Sequence, residues 1–345
     1  MSKNQGKLTI QEIADMVDVS KATISRVLND KEDVNPETRQ KIQEIIDKHN
    51  YKPSPLARGL NKRGTQNLGL AIPHTAEYIF SFPYFSELIR SISHFASEEG
   101  FRLILETTRA EAEEENAYKD IVRSGVIDGL ILLEVRKQDK RIEFLKKHNF
   151  PFMVVGRSFE YPDIDYIDSN NVTGARDATE YLIDLGYKRI IFLNGPKDHS
   201  VSFYREKGYR EALERNGRNV REDDIINCQF TIDSGHQATR SLLQEGRDIK
   251  AIFAASDLSA IGATKALKEA DITPGEDMSI IGFDNIPFSK VSEPPLTTVQ
   301  QPIHEIGQEV AETLIARLRG EITDPIQKVL ENELVIREST VNEQK

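Results

Sequence analysis

The chain has 345 residues, 38% of them apolar and 29% charged, with one cysteine and no tryptophan; at about 100 to 200 residues per domain that suits two or three globular units. No run approaches the roughly 18 apolar residues of a membrane span, and the start "MSKNQGKLTIQEIADM" lacks the apolar core and cleavage site of a signal peptide, so a cytoplasmic protein without membrane contact is expected. The net charge of −11 argues against nucleic acid only until it is divided: residues 1–63 carry 12 Lys/Arg against 9 Asp/Glu, a net of +3, leaving 33 against 47, or −14, for the remainder.

A basic head on an acidic body points to a nucleic-acid-binding module attached to something else. Ile10, Ile13, Ala14 and Val17 fall at i, i+3, i+4 and i+7, which predicts a first helix. A second follows almost at once: Ser20 is its natural N-cap, Ile24, Val27 and Leu28 repeat the spacing, and only Asp18-Val19 remains for the turn. Asn35-Pro36 opens a third, with Ile42, Ile45, Ile46 and His49 as its inward stripe. The second helix leaves Lys21, Ala22, Ser25, Arg26 and Asn29 outside, a face of small, hydrogen-bonding and cationic groups without a carboxylate. Arg offers guanine a bidentate fork, Ala can touch a thymine methyl, and Ser, Thr and Asn reach phosphates. An ordinary three-helix bundle with a solvated polar face is the bland alternative.

The stretch "TIQEIADMVDVSKATISRVLND", followed by "VNPETRQKIQEIIDKHNYKPSPLARGL", resembles the DNA-binding headpiece of the lactose/galactose repressor family, and the resemblance extends over almost the whole chain. It departs at Asp18, where the family usually has glycine in the turn, and at Ser54, where asparagine is common. The resemblance implies that Lys21, Ala22 and Arg26 read bases and that Thr9, Ser20, Thr23, Ser25 and Asn29 clamp phosphates. It also implies that "PLARGL" is a hinge helix placing Leu56, Ala57 and Leu60 at the minor groove. Leu56 and Leu60 lie four apart on one face, so such a helix could wedge base steps apart, and packing on the adjoining domain is the alternative.

From Asn67 the pattern becomes strand, helix, strand: "NLGLAIP", the amphipathic "YFSELIRSISHFASEEG" with Phe85, Leu88, Ile89, Ile92 and Phe95 inward, then "FRLILET". The alternation continues through "VIDGLILLE", "FPFMVVGR", "KRIIFLNG", "IKAIFAAS" and "MSIIGFD". Such alternation predicts parallel sheets covered by helices, and there are too many strands for one unit. The expected fold is therefore α/β: a helix-turn-helix headpiece over 1–52, a hinge over 53–64, and a bilobal body over 65–345 of two doubly wound sheets, like a periplasmic binding protein. Lobe 1 is assigned about 65–162 and 296–324, and lobe 2 about 163–295 and 325–340.

Ligands of open α/β sheets sit at the carboxyl ends of strands. There the chain offers Arg205, Asp257 and Phe230: a guanidinium fork and a carboxylate for adjacent hydroxyls, and a flat ring for a pyranose. The resemblance supports all three and adds Asp284 of "IIGFDN" and Asp168 of "YIDSNN"; Arg157 and Phe82 complete the candidates, Phe82 standing where the family usually has a polar residue. An Arg205 to Asp168 salt bridge, or Phe230 in a core, would be purely structural. Cys228 has no second thiol for a disulfide or zinc site and is assigned to a core. No G-x-G-x-x-G, G-x-x-x-x-G-K-[ST] or G-x-S-x-G anchors an enzyme, and "HEIGQ" at His304 lacks a second zinc-binding histidine. The expected function is a dimeric transcriptional repressor that binds operator DNA and answers to a small carbohydrate, with no metal or cofactor. Corepression by the ligand, or a cytoplasmic sugar-modifying enzyme with a helical appendage, are the rivals.

Overall fold

The computed structural model describes residues 9–28, 31, 33–49, 51, 64–72, 75–107 and 114–341, the side chains of 76–78 and 114–117 aside. Asn29, Leu56, Ala57 and Leu60, and with them the hinge, lie outside the described residues. The chain divides into two compact units, Met1–Thr65 and Gln66–Lys345.

In the first unit, α1 (Ile10–Val17), α2 (Lys21–Leu28) and α3 (Pro36–Lys48) are each started by a side chain that satisfies an orphan helix N–H. Thr9 and Glu12 form a reciprocal capping box: Glu12 N donates to Thr9 Oγ1 at 3.3 Å and Thr9 N to Glu12 Oε2 at 2.7 Å. Thr23 N donates to Ser20 Oγ at 3.1 Å, and Glu37 N to Asn35 Oδ1 at 2.9 Å. Between α1 and α2, Asp18 takes the left-handed conformation (φ 55°, ψ 51°), the backbone state glycine supplies elsewhere. Ile13, Ala14, Ile24, Val27, Val34, Ile42 and Ile46 fill the core. His49, expected inside, is exposed: it is the C-cap of α3, with φ −101° and ψ 5°, so the helical period no longer governs where it points.

The second unit holds two six-stranded sheets. Lobe 1 has the order β11-β5-β4-β3-β1-β2, all parallel, with β1 Asn67–Ile72, β2 Arg102–Thr107, β3 Gly129–Leu132, β4 Phe152–Val155, β5 Tyr166–Ser169 and β11 Gln327–Leu330. Lobe 2 has the order β12-β10-β9-β8-β6-β7, with β6 Ile191–Asn194, β7 Ile225–Asn227, β8 Ala251–Ala254, β9 Ser279–Asp284, β10 Thr297–Gln300 and an antiparallel edge, β12 Glu333–Val335. Alternate strand residues feed cores on opposite faces. Leu68, Leu70, Ile72 and Ile131 pack beneath the helices Pro83–Glu98 and Ile303–Arg319, whereas Ala71, Leu130, Leu132 and Val154 meet Ile121, Ile142 and Leu145 across the sheet. This two-sided burial explains why the strands read as continuous apolar runs.

The lobe boundaries differ from those expected. The chain leaves lobe 1 after β5, near 170 rather than 162, because the Pro162 segment is a return loop: β5 pairs with β4 through Val154↔Tyr166 and Val155↔Ile167. It re-enters lobe 1 near 301 rather than 296, since "TTVQ" pairs with β9 through Thr297↔Ile281. It crosses a third time at 331–332, between β11 and β12, so residues 325–330 belong with lobe 1. Beside the three crossovers, backbone hydrogen bonds strap the lobes together: Lys137 N to Asp198 O at 2.8 Å and Ser200 N to Val135 O at 2.9 Å.

Candidate functional site

The carboxyl ends of the two sheets enclose a cleft of about 870 Å³, open mouth included. Arg205 anchors its polar side. It lies in the second turn of the helix Ser200–Arg215, which approaches the helix Asn171–Asp184 so closely that a Cβ on Gly208 would stand 2.2 Å from Val172 O. Only glycine permits that approach, and it brings Arg205 Nε to 2.8 Å from Asn171 Oδ1. The guanidinium also donates to Ala255 O and, at 3.4 Å, to Asp284 Oδ1, and its carbon lies over the Phe283 ring, 3.7 Å from the centroid. Arg205 is 5% exposed, and each of its three nitrogens has an acceptor.

From Arg205 the hydrogen bonds run both ways. Asn171 Nδ2 donates to Asp168 Oδ1 at 3.0 Å, and Arg157 Nε to Asp168 Oδ2 at 2.6 Å. On the other side Gln301 Nε2 donates to Asp284 Oδ1 at 2.7 Å, and Ser169 Oγ to Gln301 Oε1 at 2.6 Å. Arg205 and Asp168 therefore do not form the salt bridge weighed from the sequence; Asp168 pairs with Arg157, and Arg205 with Asp284. Burial pushes the Asp284 carboxyl up to about 6 despite Arg205 and Gln301, and burial also raises Asp168 against the pull of Arg157.

Asp284 and Asn285 both have positive φ, 113° and 55°, a rare state for non-glycine residues at a strand end. Asp257 explains how they are held. It accepts from Thr298 Oγ1 and, at 2.8 Å, from Ile286 N, and it is 0% exposed. The expected placement of Asp257 on the ligand surface is thus corrected: this carboxylate lies beneath the cleft and ties down the 284–286 turn. Burial and the neighbouring Asp284 charge hold Asp257 well above the ordinary carboxyl range.

Of the other candidates, Phe230 lines the cleft 5.9 Å from the Arg205 guanidinium and Phe82 lines it from lobe 1. Arg157 is not among the lining residues; it stacks on Tyr204 at 4.3 Å and orients Asp168. Residues not singled out from the sequence, Tyr84, Glu134, Asn171, His199 and Gln301, share the lining. Burial together with the charges of Asp284, Asp168 and Glu134 holds the Tyr84 phenol far above its usual value, so it stays a hydrogen-bond donor. Donors and acceptors are gathered at Asp168, Asn171, Arg205, Asp284 and Gln301 within an otherwise largely apolar lining, a set chemically suited to hydroxyl groups, and no cluster of His, Cys, Asp or Glu among the described residues could hold a metal.

On the headpiece, Lys21, Ala22 and Arg26 are exposed along one face of α2, and Arg26 is held 3.5 Å from Asp33 with 56% of its side chain in solvent. Ser20 and Thr23 share a 2.9 Å hydroxyl contact at the start of that helix, with Ser25 half-buried behind them. Residues 9–54 match the model described as "Bacterial regulatory proteins, lacI family", and residues 179–340 that of the "Periplasmic binding protein-like domain". The transcriptional regulator CelR of Thermobifida fusca is 34% identical over 333 residues, 96% of this chain and 98% of that protein. The chain belongs to the LacI family. A solved CelR–cellobiose complex superposes on this LacI-family chain with a TM-score of 0.77 at 32% identity, covering 96% of this chain and 100% of that one. A Lac repressor dimer bound to operator and the anti-inducer ONPF gives 0.81 at 25% identity, covering 97% and 100%. These relatives are transcriptional regulators rather than enzymes, and no described helix is long and apolar enough to cross a membrane.

Proposed function

We propose that this chain is a cytoplasmic transcriptional repressor that binds a pseudo-palindromic operator as a homodimer and releases it when a carbohydrate occupies the cleft. The observation that carries the reading is the pairing, in one chain, of a helix-turn-helix with a carboxylate-free recognition face and a cleft that holds a hydrogen-bonded group of Arg205, Asp284, Asp168, Asn171 and Gln301. One headpiece reads too few bases for genomic specificity, which is why a dimer is required. CelR was solved in complex with cellobiose and the Lac repressor dimer bound to operator, and both support the reading.

In this reading Lys21, Ala22 and Arg26 contact bases, and Thr9, Ser20, Thr23, Ser25 and Asn29 contact phosphates. Arg26 must leave Asp33 to do so; both groups are more than half exposed, so the exchange is cheap. Leu56, Ala57 and Leu60 enter the minor groove. In the cleft Arg205, Asp284 and Asp168 take the sugar hydroxyls and Phe230 one ring face, while Asp257 and Arg157 act by positioning. The test is fluorescence anisotropy with DNA from upstream of the gene at several salt concentrations, with and without a sugar panel. Sequence-specific, salt-sensitive binding weakened by one sugar is expected; its absence overturns the reading. Arg26→Ala should relax preference at one operator position at a cost of about 1 to 3 kcal/mol, while leaving the others unchanged.

A further inference from the structure

A second pocket, of about 800 Å³ with its open mouth included, borders the wall that carries Phe230 and shares no lining residue with the cleft. Lobe 1 contributes Lys137 to it, and lobe 2 contributes Lys197, Ser202, Phe203 and Asn227 together with two carboxylates, Glu206 and Glu222. Neighbouring residues of the helix Ser200–Arg215 divide between the two cavities: Val201 lines the cleft and Ser202 the second pocket. Gly195 lets the partition be this thin, since a Cβ there would stand 2.0 Å from Phe230 Cζ and 2.6 Å from Ser202 Oγ.

In this pocket the acceptors are taken and the donors are not. Glu206 accepts from Asn194 Nδ2 at 3.0 Å and from Arg210 Nε at 2.8 Å, and Glu222 accepts from both terminal nitrogens of Arg210, at 2.6 and 2.7 Å. Among the described residues the exposed Lys137 ammonium meets only the Phe159 ring, 6.0 Å from its centroid, and the exposed Lys197 ammonium makes no ion pair. Ser202 is 1% exposed, and its hydroxyl has no hydrogen-bond partner. Buried polar groups are ordinarily paired, so this one calls for a partner from outside the chain. A cation or a neutral polyol would find the carboxylates already engaged and the ammoniums left over. An anion finds donors on both sides, and the exposed Phe203 ring offers a surface for its apolar part.

We infer that this pocket is a second ligand site, for a small organic anion, a carboxylate or a phosphate monoester, held between Lys137 of lobe 1 and Lys197 and Ser202 of lobe 2. Its volume lies in the range usual for small-molecule sites. Because its donors come from both lobes, an anion seated there ties the lobes together at a point outside the cleft.

Isothermal calorimetry on the full chain, in chloride buffer at fixed ionic strength, tests this with phenyl phosphate and benzoate, and with benzyl alcohol as the uncharged control. At least one anion should bind with a Kd below about 1 mM, and benzyl alcohol about tenfold or more weakly than that anion. Lys137→Gln and Lys197→Gln, both at exposed positions, should each weaken the anion about threefold or more. Ser202→Ala separates a binding hydroxyl from a structural one: no bond within the protein is lost, so the melting temperature should hold or rise while anion affinity falls about threefold or more. Binding of neither anion, or of benzyl alcohol as tightly, overturns the assignment. So does a smaller loss in either lysine variant, which would place the anion elsewhere or on one lobe alone, and so does unchanged anion affinity in Ser202→Ala. None of the three substituted side chains lines the carbohydrate cleft, so each of these results leaves the proposed sugar response standing.

Discussion

Asp284 couples the site to pH. Its carboxyl is raised to about 6 from an ordinary value of 3.8, so between those values the folded protein holds a proton that the unfolded chain has released. Its contribution to stability is therefore fully present below about 3.8 and is lost as pH rises through about 6. Ligand binding has the opposite slope, because a hydroxyl donor needs the carboxylate: sugar affinity should fall as pH drops below about 6, and Asp284→Asn should flatten that profile in calorimetric titrations. Arg205→Ala is expected to leave operator binding within about twofold while abolishing the sugar response in the same anisotropy assay. At this scale the sequence was informative where chemistry and position coincide: Arg205, Asp284, Asp168, Phe230 and Phe82 all reach one cleft. It misled at Asp257, since a strand-end carboxylate does not announce that Thr298 and Ile286 will cover it. It was silent about Asn171 and Gln301, because amides at crossovers have no spacing of their own.

Among elements, the headpiece was almost wholly legible because caps and period agree at every helix. Asp18 is its weak point: the left-handed state favours glycine, so Asp18→Gly should raise headpiece stability by about 0.5 to 1 kcal/mol and Asp18→Val should lower it, as read from thermal melts. Ile42→Ala, which empties a fully buried position in so small a core, should cost about 2 to 5 kcal/mol and unfold the headpiece well before the body. The body was legible where a strand is an apolar run, even one of four residues such as β3, β4 and β8. β5, β7, β10, β11 and β12 are as short or shorter and carry polar residues that interrupt the run, and β11 exposes Gln327 and Lys328 at the edge of its sheet. Every error in the lobe boundaries traces to one of these short strands.

For the molecule as a whole, effector and operator must report on each other. If sugar weakens operator binding 5- to 150-fold, operator must weaken sugar binding by the same factor, and calorimetry with and without a saturating operator duplex checks the equality. The hydrogen bonds of the cleft suggest how so small a ligand gains that leverage. They run from Asp168 through Asn171, Arg205, Asp284 and Gln301 to Ser169. Ser169 is the covalent neighbour of Asp168, so the series closes on itself through one peptide bond. Two of the passages between lobes, at 169–171 and at 301, are links in that circuit. A closed circuit has a fixed perimeter: a sugar hydroxyl inserted at one link lengthens it, and the slack must come from the angle at which the passages meet. The groups that hold the ligand would then also measure it, turning the count and placement of its hydroxyls into a rotation.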